Sequence, residues 1–207
     1  MIKTVIFDLG GVLVRTEDPR PREELARKYQ LSYQQLSDMI YRSESGIRAM
    51  VGEITTEEHW ENIHQTIGLQ DDSIQAFEKK FWGGDQLDET LIALIAGLRE
   101  EYTTALLSNA WDNLRRLLVE LWDIEEVFDH IFISAEIGLA KPDPSIYQHV
   151  IRALGHSPSE MVFLDDFPEN VAAARESGMN AIHFRSREQA LAELRELLDS
   201  DWQLSAG

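Results

Sequence analysis

No cysteine occurs among the 207 residues. Disulfides, zinc–thiolate centres and cysteine nucleophiles are thereby excluded, and the chain fits a reducing cytoplasm. Positive charge is scarce: 19 Lys and Arg stand against 37 Asp and Glu, a formal net charge of −18. Such a field opposes nonspecific binding to nucleic acid or to an anionic membrane surface. It leaves room for an anionic small molecule, because a bound cation reverses the field locally. No apolar run approaches the roughly 20 residues that span a bilayer. The N-terminus lacks the basic region and cleavage site of a secretory leader, and Asp8 interrupts its apolar run. Repeats and low-complexity segments are also missing. A cytoplasmic chain with no membrane or nucleic-acid partner is expected.

The composition is otherwise ordinary for a globular protein, 43% apolar and 27% charged. Five short apolar runs read as strands: Thr4 to Phe7, Thr104 to Leu107, His130 to Ile133, Met161 to Leu164 and Ala181 to Phe184. They are continuous rather than alternating, the pattern of parallel strands buried on both faces. Helical patterns lie between them. In "DETLIALIAGLREE", Leu91, Leu94, Ile95 and Leu98 form one stripe. "DNLRRLLVELW", "PDPSIYQHVIRALG" and "PENVAAARESG" read likewise, the last two ending in a glycine suited to a helix C-terminus. Strands alternating with helices predict an α/β class with a doubly wound, Rossmann-like parallel sheet.

From about Thr16 to Trp82 the rhythm changes to helical signals without a convincing strand. Thr55 followed by Glu58 is a capping-box pattern. A helical subdomain over 16–82 is expected, inserted into a core of 1–15 and 83–207. Ligands of open α/β sheets bind at the carboxyl ends of the strands, where such an insertion can act as a lid.

Four predicted strands deliver polar residues to that edge. Asp8 ends the first, Ser108 and Asn109 follow the second, Lys141 follows the third, and Asp165 and Asp166 end the fourth. Singly, each has an ordinary explanation: helix caps for the aspartates and for Ser108 and Asn109, a solvated loop for Lys141. In a parallel sheet they converge. Three carboxylates at one edge repel unless a cation lies among them, and hard oxygen ligands suit Mg²⁺. With Lys141, such an ion would make an otherwise acidic site receptive to a phosphoryl group. Asp8 could then attack phosphorus and form an aspartyl phosphate, which water releases.

The ordered fragments "VIFDLGGVLV", "LLSNA", "AKPDPSIY" and "FLDDFPENVAAARESGM" resemble those of the haloacid dehalogenase superfamily, subfamily IA, with a helical C1 cap after the first strand. The likeness covers nearly the whole chain. It is nearest to bacterial sugar-phosphate phosphatases and to the N-terminal phosphatase domain of soluble epoxide hydrolases. The resemblance implies a Mg²⁺-dependent phosphatase of a small phosphorylated metabolite. Asp8 would be the nucleophile and a metal ligand, and Ser108 and Lys141 would bind the phosphoryl group with help from Asn109. Asp166 would ligate the metal with Asp165 behind it, and residue 10 would offer its backbone carbonyl.

One position departs from that pattern. Most phosphatases of the family carry a second aspartate two residues after the nucleophile, as general acid/base. Here that residue is Gly10. A carbonyl ligand needs no side chain, but a proton donor does, and general acid–base catalysis contributes about 10²–10⁴-fold. A weaker enzyme, or a substrate with a good leaving group, is expected. Glu17, Asp18, His59 and His64 are candidate replacements. Arg15 foremost, with Tyr41, Arg42, Arg48, His59 and Trp60, are candidates to contact the leaving group. Trp60 and Trp82 could instead pack the cap against the core. Two other readings stay open: a non-catalytic phosphometabolite-binding protein, motivated by Gly10, and a 2-haloacid dehalogenase, which would not need the acidic pair Asp165–Asp166.

Overall fold

The computed structural model describes residues 1–68 and 73–198. Its centre is a five-stranded parallel sheet of order β5-β4-β1-β6-β7. The strands are β1 (Thr4–Phe7), β4 (Thr103–Ser108), β5 (His130–Ile133), β6 (Met161–Asp165) and β7 (Asn180–His183). All five expected strands are present, shifted by no more than a residue or so at their ends.

Their continuous apolar character has a direct cause. Val5, Phe7, Leu106, Val162 and Leu164 face one apolar layer, while Ile6, Ala105, Leu107, Met161 and Phe163 face another. Alternate side chains point to opposite faces, and both faces are covered. The first layer holds residues of α6 (Glu89–Leu98), α7 (Leu114–Glu120) and α11 (Arg187–Leu197). The second holds residues of α9 (Pro144–Leu154) and α10 (Pro168–Glu176). The short helix α8 (Ser134–Ile137) follows β5 directly.

Five helices interrupt the core: α1 (Arg20–Lys28), α2 (Tyr33–Tyr41), α3 (Glu44–Met50), α4 (Thr56–Ile67) and α5 (Ile74–Phe81). The capping box of Thr55 and Glu58 opens α4 as its sequence predicts. These helices share their own apolar cluster, including Leu25, Leu36, Ile40, Ile63 and Phe81. The chain enters and leaves them through an antiparallel pair that the sequence reading did not contain, β2 (Val14–Thr16) with β3 (Asp85–Leu87). Strands of three residues carry too little pattern to be seen in sequence.

The helical unit meets the sheet at its carboxyl edge. The Thr56 backbone N–H donates to Asp112 at 3.0 Å, and the Ser134 hydroxyl donates to the Met50 carbonyl at 2.7 Å. Trp111 follows β4 by three residues yet belongs to the apolar cluster of the helices, its ring in contact with Tyr41, His59, Trp60 and Trp82. Among the described residues no helix is long and apolar enough to cross a membrane.

Candidate active site

β1 and β6 are neighbours, and the chain runs from β1 toward β4 on one side but from β6 toward β7 on the other, so the connections diverge between them. That is where ligands bind in doubly wound sheets. Phe7 pairs with Leu164, which brings the next residues, Asp8 and Asp165, side by side. The Asp8 N–H continues the ladder to the Leu164 carbonyl at 2.9 Å. Three carboxylates therefore meet: Asp8, Asp165 and Asp166 each offer an oxygen within 4.8 Å of the others.

Lys141 reaches into this group from the loop after α8. Its ammonium lies 2.8 Å from Asp8 Oδ1, 2.7 Å from Asp165 Oδ2 and 3.0 Å from the Leu107 carbonyl. An ammonium has three N–H donors, and all three are occupied. The lysine is buried, not a solvated loop residue. Asp8 Oδ1 also accepts from the Leu9 N–H at 2.7 Å. Burial opposes the charge on Lys141, but Asp8 and Asp165 outweigh it and raise its pKa.

Asp8 and Asp166 both titrate above the ordinary carboxylate range. Burial pushes Asp8 up to about 7; Lys141 pulls it back, while Asp165 and Asp166 raise it further. Burial and then Asp165 push Asp166 up to about 6. Three carboxylates facing one ammonium carry an excess of negative charge that a divalent cation would relieve.

Two observations show that the donor set fits such an ion. Asp166 Oδ1 is buried without a hydrogen-bond partner, although buried polar atoms are nearly always satisfied. Gly11 passes so close to Asp166 that a Cβ there would lie 2.2 Å from its carboxylate. Gly11 also has φ +81°, a conformation that favours glycine. Gly10 differs: a Cβ there would meet nothing within 4 Å.

The remaining predicted residues divide. Ser108 is buried at the end of β4, next to the Leu107 carbonyl that Lys141 reaches. Asn109 follows it directly in the chain. Its amide donates to the Lys141 carbonyl and accepts from the Lys141 N–H, both at 2.8 Å, so it fixes the lysine's backbone. Neither residue caps α7, whose N-cap is Asn113.

Asp165 accepts from the Phe167 N–H at 2.8 Å and from the Asn170 amide at 3.0 and 3.1 Å, besides Lys141. It braces the lysine from behind. Arg15 is not gathered into the group. Its guanidinium donates to Asp88 at 2.8 Å, to the Val12 carbonyl at 2.7 Å and to Glu17 at 3.2 Å. It lines a separate cleft of about 480 Å³ with Phe184, Arg185 and Arg187.

The other leaving-group candidates are paired or packed within the helical unit, where Trp60 Nε1 and His59 Nε2 are buried without a hydrogen-bond partner. Arg48 pairs with Glu53 and Arg42 with Asp38. Trp60 is buried, and Tyr41 stacks on Trp111. His59 is wholly buried, its Nδ1 2.9 Å from the Ser45 hydroxyl and its ring 4.6 Å from that of Trp111.

Two supporting residues escaped the sequence reading. Asn170 holds Asp165, and His183 Nε2–H donates to the Asp166 carbonyl at 3.0 Å. An asparagine in the first turn of a helix that starts just after a strand-end carboxylate was the available signal for Asn170 (α10 begins at Pro168). Nothing local marks His183.

A comparison of the chain with known families matches haloacid dehalogenase-like hydrolase over residues 2–178. The chain belongs to this family. It is 31% identical to the sesquiterpene phosphatase astK of Aspergillus oryzae over 201 residues, covering 95% of this chain and 96% of that protein. It is 24% identical to the D-ribitol-5-phosphate phosphatase of Bacteroides thetaiotaomicron over 208 residues, 97% of this chain and all of the relative. It also matches bifunctional epoxide hydrolases, of whose length it spans about a fifth (rat) to two fifths (pig). Among solved structures, the magnesium complex of a family enzyme from Bacteroides thetaiotaomicron superposes with TM-score 0.78 at 25% identity. That match covers 94% of this chain and 98% of the other. The α/β fold and a hydrolase of phosphatase type follow.

Proposed function

We propose that this hydrolase is a magnesium-dependent phosphatase that cleaves a small phosphorylated metabolite through an aspartyl phosphate on Asp8. The observation that carries the reading is the buried Lys141 ammonium, 2.8 Å from Asp8 and 2.7 Å from Asp165, with the unpartnered Asp166 Oδ1 in the same group. Asp8, Asp166 and the Gly10 carbonyl would hold Mg²⁺, with Asp165 behind them. The ion would neutralise the excess carboxylate charge and polarise phosphoryl oxygens.

The chain's own residues account for the rest. Lys141 holds Asp8 by one oxygen, which fixes the carboxylate's orientation and leaves the other oxygen to attack phosphorus. With its three donors filled, the lysine acts on an incoming anion chiefly through its charge. The Ser108 hydroxyl would donate to a phosphoryl oxygen, and Asn109 keeps Lys141 in position. The helical unit over 16–82 would serve as the cap, docked through Thr56, Met50 and Trp111.

Two of the relatives, a sesquiterpene phosphatase and a D-ribitol-5-phosphate phosphatase, act on compounds so different in polarity that neither substrate is carried over. Asp165 and Asp166 disfavour the dehalogenase reading, whose chemistry needs no metal. The test is phosphate release from a metabolite panel with Mg²⁺ and with EDTA. Metal-dependent turnover that Asp8→Asn abolishes is expected. Phosphate bound tightly without hydrolysis over hours would instead favour the non-catalytic reading.

A further inference from the structure

We infer that His183 is a positioning residue for Asp166, the carboxylate proposed above as a magnesium ligand. From the edge strand β7 it fixes the backbone on which that carboxylate is mounted. The role presupposes the metal site of the proposed function and concerns how the ion is held.

The two acids proposed as side-chain ligands are aimed differently. Asp8 is held through its carboxylate, whose Oδ1 meets the Lys141 ammonium at 2.8 Å and the Leu9 N–H at 2.7 Å. Asp166 Oδ1 is buried without a hydrogen-bond partner, so its aim depends on the backbone that carries it.

One planar peptide unit joins Asp166 to Phe167. At one edge its carbonyl accepts from His183 Nε2–H at 3.0 Å. At the other its N–H donates to Asp165 Oδ1 at 2.8 Å. A plane gripped at both edges resists rotation about the backbone bonds that flank it, which leaves Asp166 its side-chain torsions. Gly11 narrows those too, since a Cβ there would lie 2.2 Å from Asp166 Oδ2.

His183 is itself anchored. It pairs with Asp165 in the parallel register of β6 and β7, and the Phe184 N–H donates to the Asp165 carbonyl at 2.9 Å. The Gln189 side-chain amide donates to the His183 carbonyl at 3.1 Å, and Gln189 belongs to the capping box that opens α11. Support thus runs from the start of α11 through the edge strand to the proposed ligand.

Without the histidine donor the peptide plane keeps one grip of two, and the ion itself must order the carboxylate. That ordering is a cost of binding. Groups that orient metal ligands typically change metal affinity or activity by about 10–100-fold when removed. The ring is half-buried on an edge strand, so replacing it disturbs ion binding more than the fold.

The test is calorimetric titration with Mg²⁺ of wild type, His183→Phe and His183→Gln, with the Tm of each in EDTA. His183→Phe keeps a ring and lacks the donor. Affinity about 10-fold weaker is expected, with the Tm in EDTA close to that of wild type. His183→Gln places an amide donor near the position of Nε2 and should recover most of that affinity. If the phenylalanine variant fails to fold, His183→Ala takes its place.

Unchanged Mg²⁺ affinity in His183→Phe would overturn the inference whatever the Tm in EDTA, and so would equal weakening in His183→Gln. A wild type that binds no Mg²⁺ would overturn it together with the metal site. Weakened binding in His183→Phe, in a protein that releases no phosphate, would support it while overturning the phosphatase reading.

Discussion

Asn109 and Lys141 exchange two hydrogen bonds, side chain to backbone, each 2.8 Å long and spanning 32 residues of sequence. They tie the end of β4 to the loop that carries the ammonium. Asn109→Ala would leave the Lys141 N–H and carbonyl unsatisfied in a partly buried site, at a cost of about 1–3 kcal/mol. Urea denaturation should show that loss together with a lower kcat. Asn109→Asp keeps the acceptor but not the donor, and should fall between wild type and alanine.

Magnesium should stabilise the fold through Asp8 and Asp166. At one hundred times its dissociation constant an ion bound only to the native state contributes about 2.7 kcal/mol, visible as a rise in Tm over the EDTA-treated protein. Asp166→Asn should remove most of that rise, because it takes charge from the residue whose Oδ1 is buried without a partner. An unchanged rise in the variant would place the ion elsewhere.

Lys141→Met leaves Asp8 and Asp165 facing each other without the buried ammonium between them. Removing one member of a buried ionic group typically costs about 3–5 kcal/mol. The loss should be largest in EDTA and smaller in excess Mg²⁺, which replaces part of the missing positive charge. Equilibrium denaturation under both conditions measures the difference.

The two neighbouring glycines should respond oppositely to alanine. Gly11→Ala puts a methyl 2.2 Å from the Asp166 carboxylate at φ +81°, and the left-handed conformation alone costs about 1–2 kcal/mol. Reduced stability and weaker Mg²⁺ binding are expected. Gly10→Ala meets nothing within 4 Å and should change stability by no more than about 0.5 kcal/mol. Calorimetric titration of both variants with Mg²⁺ separates the two.

His59 gives the cap a dependence on acid. Burial lowers its pKa from 6.5 to about 4. Between those values the unfolded chain binds the proton and the folded chain does not, so stability is complete above pH 6.5 and declines as pH falls toward 4. The full loss is about 3 kcal/mol at 1.36 kcal/mol per pKa unit. His59→Phe, which keeps a ring against Trp111, should flatten this part of the profile. The quantity to compare is the difference between wild type and variant in urea melts from pH 7 to pH 4, since titrating carboxylates contribute to both.

Local chemistry determined much of this protein in advance. A parallel strand covered on both faces needs an unbroken apolar run, so Thr4–Phe7 and Met161–Leu164 were legible, as were the polar residues where each run stops. Capping is equally local: Thr55 with Glu58 reads the same in sequence and in space. Helical spacing likewise marked the inserted unit, though not the three-residue strands β2 and β3 that frame it.

The tertiary structure decided which polar groups share a site and what each one touches. Arg15 and Glu17, close to the nucleophile in sequence, belong to the network of Asp88 and to another cleft. Asn170 and His183 support Asp165 and Asp166 across chain separations with no periodic signature. The reason is physical: hydrophobic periodicity is written in neighbouring residues, whereas the partner of a buried charge is fixed by strand order and register, and these exist only once the sheet has formed.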